Sequence, residues 1–140
     1  PYSRVQIDNT QPWQRNHWRA LISCYNKSPF FFYYADSLQP LFEQPYTLLY
    51  EWNLAVHNWL CAKLRVARAA ELTLSYNKTA PAAVVDRRDS EKPGTRLAEA
   101  RQFPAYQQVF PGSFQPNLSC FDVLFNMGNQ SKDYLLHLLV

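Results

Sequence analysis

The sequence predicts a mainly helical α+β fold, a single domain over residues 1–140 with a few short strands. Three observations predict it. Apolar residues make up 47% and aromatics 16% of the 140 residues, enough for one real core. Most apolar positions recur at three- and four-residue spacing, as on one face of a helix. A few short segments alternate with period two, as half-buried strands do.

The elements follow in chain order. In "SRVQID", Val5 and Ile7 alternate with polar neighbours, which predicts a short strand. Thr10 is placed to cap a helix, with Pro12 tolerated in its first turn. That helix should run to about Tyr25, and Asn26 suits a left-handed closing position. Ser28 and Pro29 then restart a helix as cap and first helical residue, and Pro40 disrupts it. Residues 47–64 form the longest uninterrupted helical pattern. Leu48, Leu49, Trp52, Val56, Trp59 and Leu60 share a broad face, with Leu54 and Cys61 opposite. A helix apolar on two sides is expected to be central. "ELTLSY" reads as a strand. Residues 77–102, punctuated by Pro81, Pro93 and Gly94, read as a long or mobile loop with at most one helical turn. "YQQVF" reads as a strand ended by the Pro111-Gly112 turn. Ser119 caps a helix, "CFDVLFNM", in a box with Asp122 three residues on, and Gly128 closes it. Ser131 caps a last helix, "KDYLLHLLV".

Composition narrows the function classes. A net charge of +3 without a dense Lys/Arg run permits a small anionic partner but disfavours nucleic acid. With three glycines and no GxxxxGK or GxGxxG pattern, no phosphate-cradling loop and no cofactor motif is present. The three cysteines, Cys24, Cys61 and Cys120, are widely spaced and form no CxxC. No metal spacing or disulfide framework is therefore expected, and a reducing cytoplasm is the default compartment. No apolar stretch reaches the length of a membrane span. The chain starts at Pro1, so its first residues say nothing about a leader. Oligomeric state is not legible.

Two stretches concentrate chemistry. In "QPWQRNHWRA", Trp13, His17, Ala20, Leu21 and Cys24 fall within about 100° on a helical wheel, flanked by Trp18 and Tyr25. Arg15 and Arg19 lie opposite, one turn apart, a spacing mildly unfavourable to the helix itself. They are either a solvated face or binders of a phosphate or carboxylate. His17 on an apolar stripe is either a structural imidazole with one backbone partner or a general acid/base. In "FQPNLSCFDVLFNMG", Asn126 lies one turn from Asp122, and both can face a polar pocket with Asn117. Capping and core packing explain the same residues, and the two readings are compatible. Asp86, Arg87, Arg88 and Asp89 form a charge cluster in the long loop, where a solvated surface is the plainer reading.

The stretch "QPWQRNHWRALISCYNKSPFFFYYADSLQPLFE" resembles the central segment of the WbqC-like protein family. "QVF…FQPNLSCFDVLFNMG" is similar to that family's closing motif, and the spacing between the two fits. Asn26 departs from the pattern where glycine is expected, as does Asn16 where lysine is common. Family members carry a further N-terminal segment, which this chain would lack. The resemblance implies a bacterial protein of surface-polysaccharide (O-antigen) biosynthesis, a transferase acting on a nucleotide-linked sugar. Trp13, Arg15, His17, Trp18, Arg19, Lys27, Ser28, Pro29, Asn117, Asp122 and Asn126 fall on motif positions, and the resemblance assigns none of them a role. On this reading Arg15, Arg19 and Lys27 bind anionic groups, and His17 or Asp122 supplies acid/base chemistry. Trp13, Trp18, Asn117 and Asn126 complete a site for a small anionic or sugar ligand. The rival reading is a non-catalytic binding or scaffold protein, for which Trp and Tyr are favoured anchors.

Overall fold

The structure is a computed structural model describing residues 2–66, 70–73, 75–81, 83–86, 88 and 103–138. It forms two compact units, Pro1–Ala70 with Ala105–Val140, and Glu71–Pro104. The first unit holds five α-helices among the described residues: α1 (Trp13–Tyr25), α2 (Phe31–Leu38), α3 (Leu49–Lys63), α4 (Cys120–Met127) and α5 (Ser131–His137). Short 3-10 turns occupy Tyr2–Arg4, Gln39–Phe42 and Gly128–Gln130.

The α+β expectation is overturned, because no strand forms among the described residues. A strand needs a neighbour to satisfy its backbone along a ladder. "SRVQID" finds one neighbour at one point only, an antiparallel bridge between Gln6 and Leu48. There Ile7 N donates to Thr47 O at 2.9 Å and Leu49 N to Val5 O at 2.9 Å. The described part of "ELTLSY" is exposed and unpaired. "YQQVF" lies outside any ladder, and its side chains are engaged inward instead, as described below.

The caps differ in detail from expectation. Thr10 turns back to Asp8, with its N 3.0 Å and its Oγ1 2.5 Å from Oδ1. Pro12 stands at the start of α1 with no side-chain cap. Asn26 closes α1 in a right-handed conformation, φ −58°, which needs no glycine. Ser28 does not cap α2, which begins at Phe31. Its buried Oγ is a side-chain polar atom without a partner among the described residues. Pro40 ends α2 at Leu38 and tightens the chain into the 3-10 turn, as the missing amide requires. Ser119 caps α4 as expected, accepting from Phe121 N at 3.2 Å. Gly128 closes it at φ 57°, with its N–H on Leu124 O. Ser131 does not cap α5; it lies inside the helix, fully buried, and donates to Val123 O at 3.1 Å.

The core is an aromatic-rich apolar cluster shared by α1, α2, the 3-10 turn after it and α4: Tyr25, Phe31, Tyr34, Ala35, Leu38, Phe42, Leu124 and Phe125. Phe125 sits edge-on to Tyr25 and Phe31 at centroid distances of 5.2 and 5.1 Å. Such edge-to-face pairs add roughly 0.5–1.5 kcal/mol each beyond their burial. Phe30 N donates to Phe125 O at 3.0 Å, tying the start of α2 to α4. The expectation that α3 is central is corrected: none of its residues is fully buried. It packs onto the core through Trp52 and Trp59, whose indole N–H groups reach Leu41 O at 3.1 Å and Ser37 Oγ at 3.2 Å.

In the second unit, Arg88 grips Asp86, from Nη2 to Oδ2 at 2.6 Å, and lies over the Tyr76 ring at 5.4 Å. Its hydrogen bonds hold the Asp86 carboxyl down at about 2. Arg87 and residues 89–102, part of the 77–102 segment read as a loop with at most one helical turn, lie outside the described residues.

Candidate functional site

The C-terminal motif builds a polar centre inside the core. Asp122 sits in the first turn of α4 but does not cap it; its side chain turns inward and is 0% exposed. Three donors converge on it. Tyr106 gives its hydroxyl to Oδ2 in a short hydrogen bond. Gln108 Nε2 reaches the same oxygen at 3.0 Å. Asn126 Nδ2 reaches Oδ1 at 3.2 Å and the Asp122 carbonyl at 2.8 Å, as one-turn spacing allows. The carboxyl group accepts from all three. No cation pairs with it among the described residues. Two tyrosines register the burial and the carboxyl beside them. Burial and then the Asp122 carboxyl hold Tyr25 well above the ordinary tyrosine range. Burial and then its hydrogen bond to Asp122 do the same for Tyr106.

Gln108 does two jobs. Besides Asp122, its amide bridges the Pro111-Gly112 turn: Nε2 donates to Gln115 O at 2.9 Å, and Oε1 accepts from Gln115 N at 2.8 Å. The loop before α4 is thereby fastened to the buried carboxyl. Above this network opens a cavity of about 330 Å³. Tyr106, Gln107, Asn126, Asn129 and Gln130 give its polar wall, Phe30 and Met127 its apolar one. Phe30 can lie there because Gly128 has no side chain; a Cβ would stand 2.8 Å from its ring.

The N-terminal motif behaves differently. The expected stripe is corrected: α1 packs through Trp18, Leu21 and Tyr25, while His17, Ala20 and Cys24 are exposed. Trp18 stacks on Phe31 at 6.1 Å and meets Phe42 at 5.6 Å, so the larger ring sets which face turns in. His17 lies beside Trp13 at 5.6 Å and Trp52 at 6.2 Å, an aromatic setting open to solvent. Trp13 Nε1 donates to Asn9 Oδ1 at 3.0 Å, and Asn9 Nδ2 to Tyr46 O at 2.8 Å. Trp13 and Arg15 line a second cavity, of about 410 Å³, with Gln11, Phe42 and Pro45. Arg19 and Lys27 are exposed and line neither cavity.

The sequence-predicted residues thus fall into two groups. Asp122 and Asn126 come together, while Asn117 is exposed at φ 57° and serves the turn before α4. Trp13 and Tyr25 stand at opposite ends of α1, about 18 Å apart along its axis. Tyr25, Tyr106 and Gln108 were not anticipated as site residues. The donor-rich "YQQ" before a Pro-Gly turn was the available signal, masked by its reading as a strand. Among the described residues no three His, Cys, Asp or Glu side chains converge as metal ligands would. None of the described helices is long and apolar enough to cross a membrane.

The chain belongs to the WbqC-like protein family, whose model matches residues 2–88 and 64–134. It is also similar to the uncharacterized protein Rv1507c of Mycobacterium tuberculosis (strain ATCC 25618 / H37Rv), at 30% identity over 155 residues. That match covers 92% of this chain and 66% of the relative, so the chain spans just under two thirds of the relative's length. No solved structure matches it.

Proposed function

We propose that the chain carries a sugar-binding site of a biosynthetic enzyme of bacterial surface polysaccharides, a transferase acting on a nucleotide-linked sugar. One observation carries this reading: a fully buried carboxyl organises Tyr106, Gln108 and Asn126 beside a cavity with one polar wall. Protein cores seldom hold a carboxyl without a cation beside it, and here three donors hold one next to a cavity. The family resemblance supplies the reaction class. Asp122 is shielded from any ligand, so it acts through the groups it holds. His17 is exposed and remains the acid/base candidate, although it lines neither cavity. Arg15, Arg19 and Lys27 are free at the surface to meet phosphate.

The test is a thermal-shift panel of nucleotide-linked sugars on the intact chain. A binder present at a hundred times its Kd adds about 2.7 kcal/mol of stability. A panel with no upward shift overturns the reading.

The second reading, a non-catalytic binding or scaffold protein, rests on Phe32 and Tyr33 of α2, which are 68% and 76% exposed. If replacing both with serine leaves partner capture and oligomeric state unchanged, that reading fails.

A further inference from the structure

We infer that the cavity over α4 takes an uncharged, hydroxyl-bearing group, the sugar ring and not its phosphates, and that Asp122 is the positioning residue that makes it so. This rests on the reading above and adds to it the chemistry of the ligand part bound here.

Asn126 decides the polarity of the cavity. Both contacts of its amide nitrogen end on oxygens, the Asp122 carbonyl and Asp122 Oδ1. Only the NH2 end can donate to both, so the orientation of the carboxamide is fixed by chemistry. Its Oδ1 therefore points the other way. Asn126 is 8% exposed and lines the cavity, and its Oδ1 is not among the buried atoms closed off from solvent without a partner. The result is a rigid acceptor on the cavity wall. Tyr106 is fixed likewise, its proton spent on Asp122 and its oxygen approached by Gln108 Nε2 at 3.4 Å.

The wall contains no Lys, Arg or His among the described lining residues. An anion would meet a fixed carbonyl dipole, with a buried carboxyl behind it and no cation among the described lining residues to offset either. A hydroxyl donates to such an acceptor and gains a hydrogen bond that a phosphate cannot make. Asn129 and Gln130 can offer either end of their amides to further hydroxyls. Phe30 and Met127 supply an apolar surface against which a sugar's C–H face can lie.

The test uses three probes: the nucleotide-linked sugar with the largest thermal shift, its nucleoside diphosphate alone, and the methyl glycoside of its sugar. Binding is followed by calorimetry and by the side-chain amide NMR signals of Asn126. The expected result for Asn126→Ala is about tenfold weaker binding of the nucleotide-linked sugar, with the nucleoside diphosphate unchanged within about twofold, the scale of one lost hydrogen bond. In the unmutated chain, which folding defects cannot compromise, the methyl glycoside shifts the Asn126 amide signals and the nucleoside diphosphate does not. If the nucleotide-linked sugar binds but Asn126 signals stay still, or move with the diphosphate alone, this inference is overturned while the reading above stands. If no nucleotide-linked sugar binds the unmutated chain, both fall.

Discussion

The two signature stretches carry similar densities of polar and aromatic residues, yet the fold treats them oppositely. On α1, His17, Arg15 and Arg19 stay at the surface, and the packed face is given to Trp18, Leu21 and Tyr25. On α4, Asp122 and Asn126 are drawn inside with Leu124 and Phe125. The difference lies in partners. Tyr106 and Gln108 bring donors that offset the desolvation of a carboxyl; among the described residues nothing packed over His17 or the arginines does so. A motif thus becomes a buried site only where another segment supplies its complement.

That comparison is broken most sharply at Asp122. Asp122→Ala strands the Tyr106, Gln108 and Asn126 donors in the core and should destabilise the chain by roughly 3 kcal/mol or more in urea unfolding. His17→Ala should lower stability by less than about 1 kcal/mol, as an exposed site does. Equal losses at the two positions would erase the distinction.

Gly128→Ala comes next. It combines φ 57° with a Cβ 2.8 Å from the Phe30 ring and should cost about 2 kcal/mol. The same variant should also narrow the cavity, so weaker glycoside binding is expected with it.

The alkaline limb sharpens the contrast further. Tyr25 and Tyr106 titrate above their ordinary value in the folded state, for burial first and Asp122 second. Their neutral forms are favoured by folding, so stability is intact below about pH 10 and falls as pH rises beyond it. Tyrosinate absorbance should therefore show most tyrosines ionising first and these two only with unfolding. If all titrate together while the fold persists, burial and the carboxyl do not hold these two.

The smallest effect on folding is expected at the arginines. Arg15→Ala and Arg19→Ala should leave the unfolding midpoint unmoved, since neither makes an ion pair among the described residues. If they meet phosphate, each should weaken binding of a nucleoside diphosphate about tenfold. An unchanged affinity would make them a solvated face.

The sequence by itself determined the helices and where they stop. Pro40 ends α2, Ser119 and Gly128 bound α4, and the long apolar pattern of residues 47–64 yields α3 at Leu49–Lys63. These signals are local: a missing amide, a capping hydroxyl, a residue free to take positive φ. The one-turn pairing of Asp122 with Asn126 is local too, and it was legible. Strands are different, because "SRVQID" and "YQQVF" become strands only if another segment pairs with them. Period-two alternation could not reveal that Gln6 meets Leu48 at one bridge alone, or that Tyr106 and Gln108 turn to Asp122. The inward side of α1 was likewise settled by rings from α2 and the following turn, Phe31 and Phe42, which draw Trp18 in and leave His17 out. Helical periodicity fixes which residues share a face; only the tertiary structure decides which face finds a partner, because burial is favourable only against a surface that complements it.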